Sequence, residues 1–276
     1  MRCSQGAEAE PLGGTAPVAR WWWLVEMPGP WGRKALEDCR VPAVRALPST
    51  DERRVLLVRR RGRHPAADPD APLRVWFAGA LPGDPPPRMA VVDDHSELLT
   101  WPASGPPADR AREDPHAPRL VVCANSARDL CCGLDGRALV QALDDDRAWE
   151  CSHLGGHRFA PTALLVGHGL VYGRLDAPAA RALLDEGPTP DSAAYLRGRS
   201  ALPPAAQAAE ASLLARGIRP DPEKVQVEDA GDALTRVTFA GSPPVHLDYL
   251  PGEASRPASC GGDPEPWSSW RIREAS

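Results

Sequence analysis

The 276-residue sequence has no excess of positive charge: 32 Lys and Arg stand against 37 Asp and Glu, a net charge of −5. That removes the default electrostatic argument for a nucleic-acid or anionic-membrane partner. The local run "RRRGRH" (Arg59 to His64) follows an apolar strand pattern and reads as a solvated strand end. No apolar stretch approaches the roughly 20 residues that cross a bilayer. The opening "MRCSQGAEAEPLGG" lacks the apolar core of a secretion signal. A cytoplasmic protein with no membrane partner is therefore expected. Missing too are a fixed-period repeat, a G-x-G-x-x-G following a strand, and a P-loop. No carboxylate pair is placed for glycoside hydrolysis.

What is present begins with 42% hydrophobic residues, enough for real cores. The seven cysteines are odd in number and irregularly spaced. In a reducing compartment that pattern points to metal or redox chemistry rather than disulfides.

Along the chain, residues 21–27 (WWWLVEM), 54–60, 73–80 and 88–94 read as strands, and 32–39 (GRKALEDC) as a short helix. Residues 102–118, Pro-rich and without periodicity, read as a linker that separates an N-terminal α/β unit (1–101) from a second unit (119–200). In the second unit, 119–123 is a strand ending on Cys123, 136–143 a helix, and 148–151 a short strand. Residues 162–175 form a hairpin around the turn "GHG", and a helix capped by Asp176 ends at Gly187. The resulting β-α-β-β-β-α order is that of a thioredoxin-like fold, an α/β class with a mixed sheet. The first unit has a loosely similar order, which raises the question of a degenerate copy. Residues 201–276 read as a helix (203–217) and a β-rich extension.

The chemistry concentrates in "CANSARDLCCG" (123–133) and "CSHLGGH" (151–157). Together Cys123, Cys132, His153 and His157 spell C-x8-C-x20-H-x3-H, a complete four-ligand set for a soft or borderline metal. Cys123 ends one strand and His153 follows another, so neighbouring strands would bring them together. The glycine pair 155–156 makes the histidine segment a loop rather than a helix. Eight residues between the cysteines exceed the usual spacing of a structural zinc site. Even so, donor chemistry alone leaves zinc and a [2Fe–2S] cluster both open.

"CANSARDLCCG", "ECSHLGGHRFAPTALL", "YGRL", "YLRGRS", "WLVEMPGPWG" and "SCGGDPEPW" closely resemble the sucrase/ferredoxin-like family. The resemblance implies a thioredoxin-like ferredoxin domain holding a [2Fe–2S] cluster on Cys123, Cys132, His153 and His157. It further implies an electron carrier or reductase component that works with a redox partner protein. Cys131, beside the second ligand, keeps open which of the two thiols binds. A structural zinc module is the alternative function, and a thiol enzyme using Cys131-Cys132 ranks last, because adjacent cysteines suit thiol exchange poorly. Arg128 and Asp129 are expected to pair and brace the cysteine loop. Cys151 reads as packing, Trp149 as a core residue that could stack near a redox centre, and Cys3, Cys39 and Cys260 receive no role.

Overall fold

The computed structural model describes residues 2–62, 65–231, 234–253 and 255–273. Arg63 and His64, the end of the basic run, lie outside the described residues.

Runs rich in β-branched and aromatic residues form strands, as their composition favours. After a single turn of helix at Cys3–Gly6 (α1), the first half builds Trp21–Glu26 (β1), Arg53–Arg59 (β2), Leu73–Gly79 (β3) and Arg88–Val92 (β4). β1 and β2 run parallel, β3 lies antiparallel on the other side of β1, and β4 follows antiparallel to β3. The helix expected at 32–39 is replaced by turns. There the Asp38 carboxylate accepts the Lys34 N–H at 2.9 Å, a local side-chain bond that competes with the helical one. The helical turn comes later, at Pro42–Arg45 (α2). Within 102–118, Arg112–Glu113 (β5) pairs with β4 and adds a strand to the sheet edge.

The second half repeats the topology. Leu120–Cys123 (β6) leads through Arg137–Leu143 (α3) to Ala148–Cys151 (β7), which runs parallel to β6. Ala163–Leu165 (β8) lies antiparallel to β6, and Leu170–Tyr172 (β9) antiparallel to β8. Ala177–Asp185 (α4) follows, its first turn capped by Asp176, whose Oδ1 accepts from Ala179 N at 2.8 Å. The spatial order is β2-β1-β3-β4 in the first half and β7-β6-β8-β9 in the second, with the same parallel and antiparallel relations. The fold is thus a mixed α/β arrangement of thioredoxin-like character, and the two halves share one topology.

Leu196–Arg199 (β10), in "YLRGRS", completes a ten-stranded sheet, β10-β9-β8-β6-β7-β2-β1-β3-β4-β5. A helix at Pro204–Ala215 (α5) then covers a second sheet. That sheet contains Val225–Asp229 (β11), Leu234–Phe239 (β12) and Val245–Pro251 (β13). Arg256–Pro257 (β14) and Pro264–Glu265 (β15) form a small ribbon, and Ser268–Ile272 (β16) returns to pair with β13. Among the described residues no helix is long and apolar enough to cross a membrane.

Strand alternation divides the large sheet's core by face. One face runs across both halves through Trp22, Leu24, Val58, Trp76, Val121, Cys123, Trp149 and Cys151. The other face carries two separate clusters, one per half. The seam is short: β2 meets β7 only at Val58 opposite Cys151 and Arg59 opposite Glu150. It is reinforced by a buried ion pair, Arg59 Nη2 to Glu150 Oε2 at 2.6 Å, with the guanidinium stacked 4.0 Å from the Trp31 ring. Ser152 adds two bonds, its N–H donating to Leu57 O at 2.8 Å and its Oγ accepting from Leu57 N at 3.0 Å.

A buried charge pair costs most when one member is removed. Arg59→Ala is predicted to destabilise the protein by about 3–5 kcal/mol, whereas Arg59→Met with Glu150→Leu restores most of that loss. Equilibrium denaturation measures both, and an Arg59→Ala variant as stable as the parent would contradict the role given to the seam.

Candidate metal centre

The parallel register of β6 and β7 sets Cys123 opposite Cys151 at the carboxyl ends of both strands. From these ends the chain leaves the sheet as the two loops that carry the donors. Cys123 is held by its N–H to Thr162 O at 2.9 Å, and Ala124 N donates to Cys151 O at 3.0 Å. The cysteine loop is then folded by Asn125, whose side-chain carbonyl accepts from Ala127 N and Arg128 N. It returns through a π-helical turn at Cys132–Gly136 that runs straight into α3. Such turns recur at functional sites because they re-aim one side chain without ending the helix. Gly136 is required here, since a Cβ at this position would run into the Cys123 carbonyl oxygen.

The two loops meet. Cys123, Cys132 and His153 each present a ligand atom within 4.8 Å of the others. Both thiols are buried, while His153 and His157 lie between core and surface. His153 Nδ1 is buried without a hydrogen-bond partner. A polar atom left this way costs free energy, and a bound cation is one way to repay it. His157 stands beside the trio, its ring 5.5 Å from that of His153 (centroid to centroid). Its Nδ1 faces Asp129 Oδ2 at 3.5 Å and Cys3 Sγ at 3.7 Å.

The two thiols shift in opposite directions. A hydrogen bond from Cys132 pulls the Cys123 pKa well down; burial opposes this, and His153 and the Leu154 N–H add to the lowering. Cys132 is raised in turn, by giving that hydrogen bond, by burial and by the charge on Cys123. Burial lowers the His157 pKa against the opposing charge of Asp129. The imidazole is thereby biased to the neutral form that binds metals.

The histidine loop rests on Arg197, a fully buried guanidinium in β10. Its Nη1 donates to Gly155 O at 2.9 Å, its Nε to Thr15 Oγ1 at 3.1 Å, and its Nη2 to Thr15 O. Burial, with Arg158 adding, pushes its pKa down to about 9, while Cys123 and Cys132 act in the opposite sense. Gly156 lies at φ +69°, and a Cβ there would meet this guanidinium. One glycine of the pair therefore serves the close approach of Arg197.

Other expectations fare differently. Cys131, adjacent to Cys132, points elsewhere: its sulfur lies 3.6 Å from Cys3 and 3.1 Å from Cys260. Asp129 does not pair with Arg128. It accepts from Cys131 N–H at 2.9 Å and Cys260 N–H at 2.9 Å, because the loop turns its carboxylate inward onto free backbone donors. Cys151 stays outside the donor group as a buried core residue, and burial raises its thiol pKa. Trp149 packs edge-on against Trp76 with ring centroids 5.3 Å apart, in the same core layer as Cys123 and Cys132. Arg197 and the grouping of Cys3, Cys131 and Cys260 were not foreseen from sequence. The signal for the latter was the Cys131-Cys132 pair, since two adjacent side chains cannot both face one metal with ease.

Arg197→Met is predicted to orphan the Gly155 and Thr15 carbonyls at about 1–3 kcal/mol each, and to speed amide exchange across residues 153–157. Arg197→Lys should recover only part of the loss, because an ammonium cannot reproduce the planar fork. Exchange at the parental rate in the Met variant would contradict this support.

A family model described as sucrase/ferredoxin-like matches residues 12–198, more than half of the chain. Neither curated proteins nor solved structures match it.

Proposed function

The chain belongs to the sucrase/ferredoxin-like family, and from that membership we propose that it is an electron-transfer protein carrying a [2Fe–2S] cluster on Cys123, Cys132, His153 and His157. The observations that carry the reading are the convergence of Cys123, Cys132 and His153, with His157 alongside, and a buried, partnerless His153 Nδ1. Two thiolates and two imidazoles are a donor set that such a cluster accepts. The cluster would supply one-electron redox chemistry, and the protein would pass electrons between a reductase and an acceptor in the manner of a ferredoxin or a reductase component.

The chain's own residues determine how this would work. The cysteines are buried and the histidines reach toward solvent, so the imidazole side is the shorter path for an electron to a docked partner. Neutral imidazoles in place of thiolates remove negative charge, which stabilises the reduced state and raises the potential relative to an all-cysteine site. His157 would bind through the nitrogen not turned to Asp129, leaving Nδ1 to the carboxylate, the usual arrangement that orients a ligating histidine. An imidazole N–H that grows more acidic on oxidation would couple electron transfer to protonation.

Protein purified without oxygen should be red-brown, contain acid-labile sulfide and bleach with dithionite. Colourless protein with zinc bound by Cys123 and Cys132 would overturn the proposal in favour of a structural zinc module. His153→Cys and His157→Cys should each keep a coloured cluster but lower its reduction potential, and an unchanged potential would remove that histidine from the ligand set.

A further inference from the structure

The thiols left over by the first site are not scattered. Cys3 in α1, Cys131 in the cysteine loop and Cys260 in the C-terminal extension come from three remote segments. Their sulfurs nevertheless stand 3.6 Å (Cys3–Cys131), 3.1 Å (Cys131–Cys260) and 3.6 Å (Cys3–Cys260) apart. Asp129 completes the group, with Oδ1 3.4 Å from Cys260 Sγ and 3.7 Å from Cys3 Sγ. The carboxylate is aimed by two backbone N–H groups, those of Cys131 and Cys260, each at 2.9 Å.

This arrangement is poor as core packing. Cys3, Cys131 and Asp129 are buried, and thiols are weak donors for a carboxylate withdrawn from water. Among the described residues the only ion-pair partner of Asp129 is His157, at 3.5 Å. The cluster therefore offers soft and anionic donors with no fixed positive charge among them, and a cation would balance it.

The spacing suits a single small tetrahedral ion, of which zinc is the usual case for thiolate-rich structural sites. Four ligands around one zinc ion, with Zn–S about 2.3 Å and Zn–O about 2.1 Å, put sulfurs roughly 3.8 Å apart and sulfur and oxygen roughly 3.6 Å apart. The Cys3 separations of 3.6, 3.6 and 3.7 Å and the Cys260–Asp129 separation of 3.4 Å are close to those values, and the Cys131–Cys260 pair at 3.1 Å would open by about 0.7 Å around the ion. A multi-iron cluster would need its thiolates spread over several metal positions. A Cys131–Cys260 disulfide would require closure to about 2.0 Å and would leave Cys3 and Asp129 without a role.

We infer that Cys3, Cys131, Cys260 and Asp129 form a second metal site that takes one zinc ion and is structural. Three thiolates and a carboxylate fill a tetrahedron, so no position is left for substrate. The ion clips both ends of the described chain onto the loop that carries Cys132, and through Asp129 it steadies His157. Glu10 makes a parallel clamp with ion pairs: its carboxylate holds Arg158, beside His157, at 2.7 Å and Arg256, near Cys260, at 2.7 Å. Cys3 and Cys260 both lie outside residues 12–198, the span that the family model matches. The donors differ from those of the proposed cluster, so this site does not depend on that proposal.

The test uses the whole chain, purified without oxygen under reducing conditions, with zinc and iron measured per protein. Wild type should hold one equivalent of zinc. After chelation it should regain that equivalent from Zn2+ alone, and with Co2+ alone it should show the intense visible bands of a tetrahedral thiolate site. Cys260→Ser should lose the zinc while keeping iron and the visible spectrum of the first site. Cys123→Ser should do the reverse. Zinc-edge X-ray absorption of the wild type should resolve three sulfur neighbours and one oxygen, a readout that needs no variant to fold. Full zinc content in Cys260→Ser, absence of zinc uptake by reduced wild type, iron in place of zinc, or a Cys131–Cys260 disulfide in protein alkylated directly from cells would each overturn the inference.

Discussion

The parallel pairing of β6 with β7, in the register that sets Cys123 opposite Cys151, is the constraint on which the donor geometry depends. Parallel neighbours end at the same edge of a sheet, so the cysteine loop and the histidine loop must both emerge there. A slip of one residue would turn Cys123 to the opposite face and away from His153. Seam and support follow from that edge. Ser152 fastens the start of the histidine loop to Leu57 in the first half, and Arg197 fixes the loop's far side through Gly155. The proposed cluster would thus sit on loops of the second half that are tied to the sheet rather than free.

The first half shares the topology of the second but not its donors. Where Cys123 ends β6, β1 ends on Glu26 and continues through Pro28 and Pro30 to Trp31, which is buried beside Cys39, Val41 and Leu57. Trp31 belongs to the core layer on the face of the sheet opposite that of Cys123 and Cys132. Arg59 lies over that indole and reaches across to Glu150. The first half has become a support, offering core surface and one buried charge pair to the seam.

Much of this was legible in the sequence. Strand positions, the hairpin around "GHG", the Asp176 cap and the thioredoxin-like order follow from local periodicity and turn chemistry, which short windows contain. The convergence of Cys123, Cys132 and His153 follows from placing them at strand ends. Local reasoning failed where a side chain overrode propensity, as Asp38 did at 32–39, or where an irregular backbone hid an element. The π-helical turn before α3 and the bulge between Leu196 and Gly198 in β10 are of the second kind. Remote contacts left no local trace: Cys3 and Cys260 are 257 positions apart, and nothing near either one announces the other. Arg197 escaped notice because a buried arginine is recognised by the carbonyls around it, which only the fold assembles.

The [2Fe–2S] ligation proposed for this chain is open to one direct measurement. Pulsed EPR of the dithionite-reduced protein, with histidine labelled by nitrogen-15, counts the imidazoles bound to the paramagnetic iron. Two strongly coupled histidine nitrogens, falling to one in His157→Cys, are the predicted result. A reduced protein with no EPR signal, or a signal without histidine coupling, would contradict it.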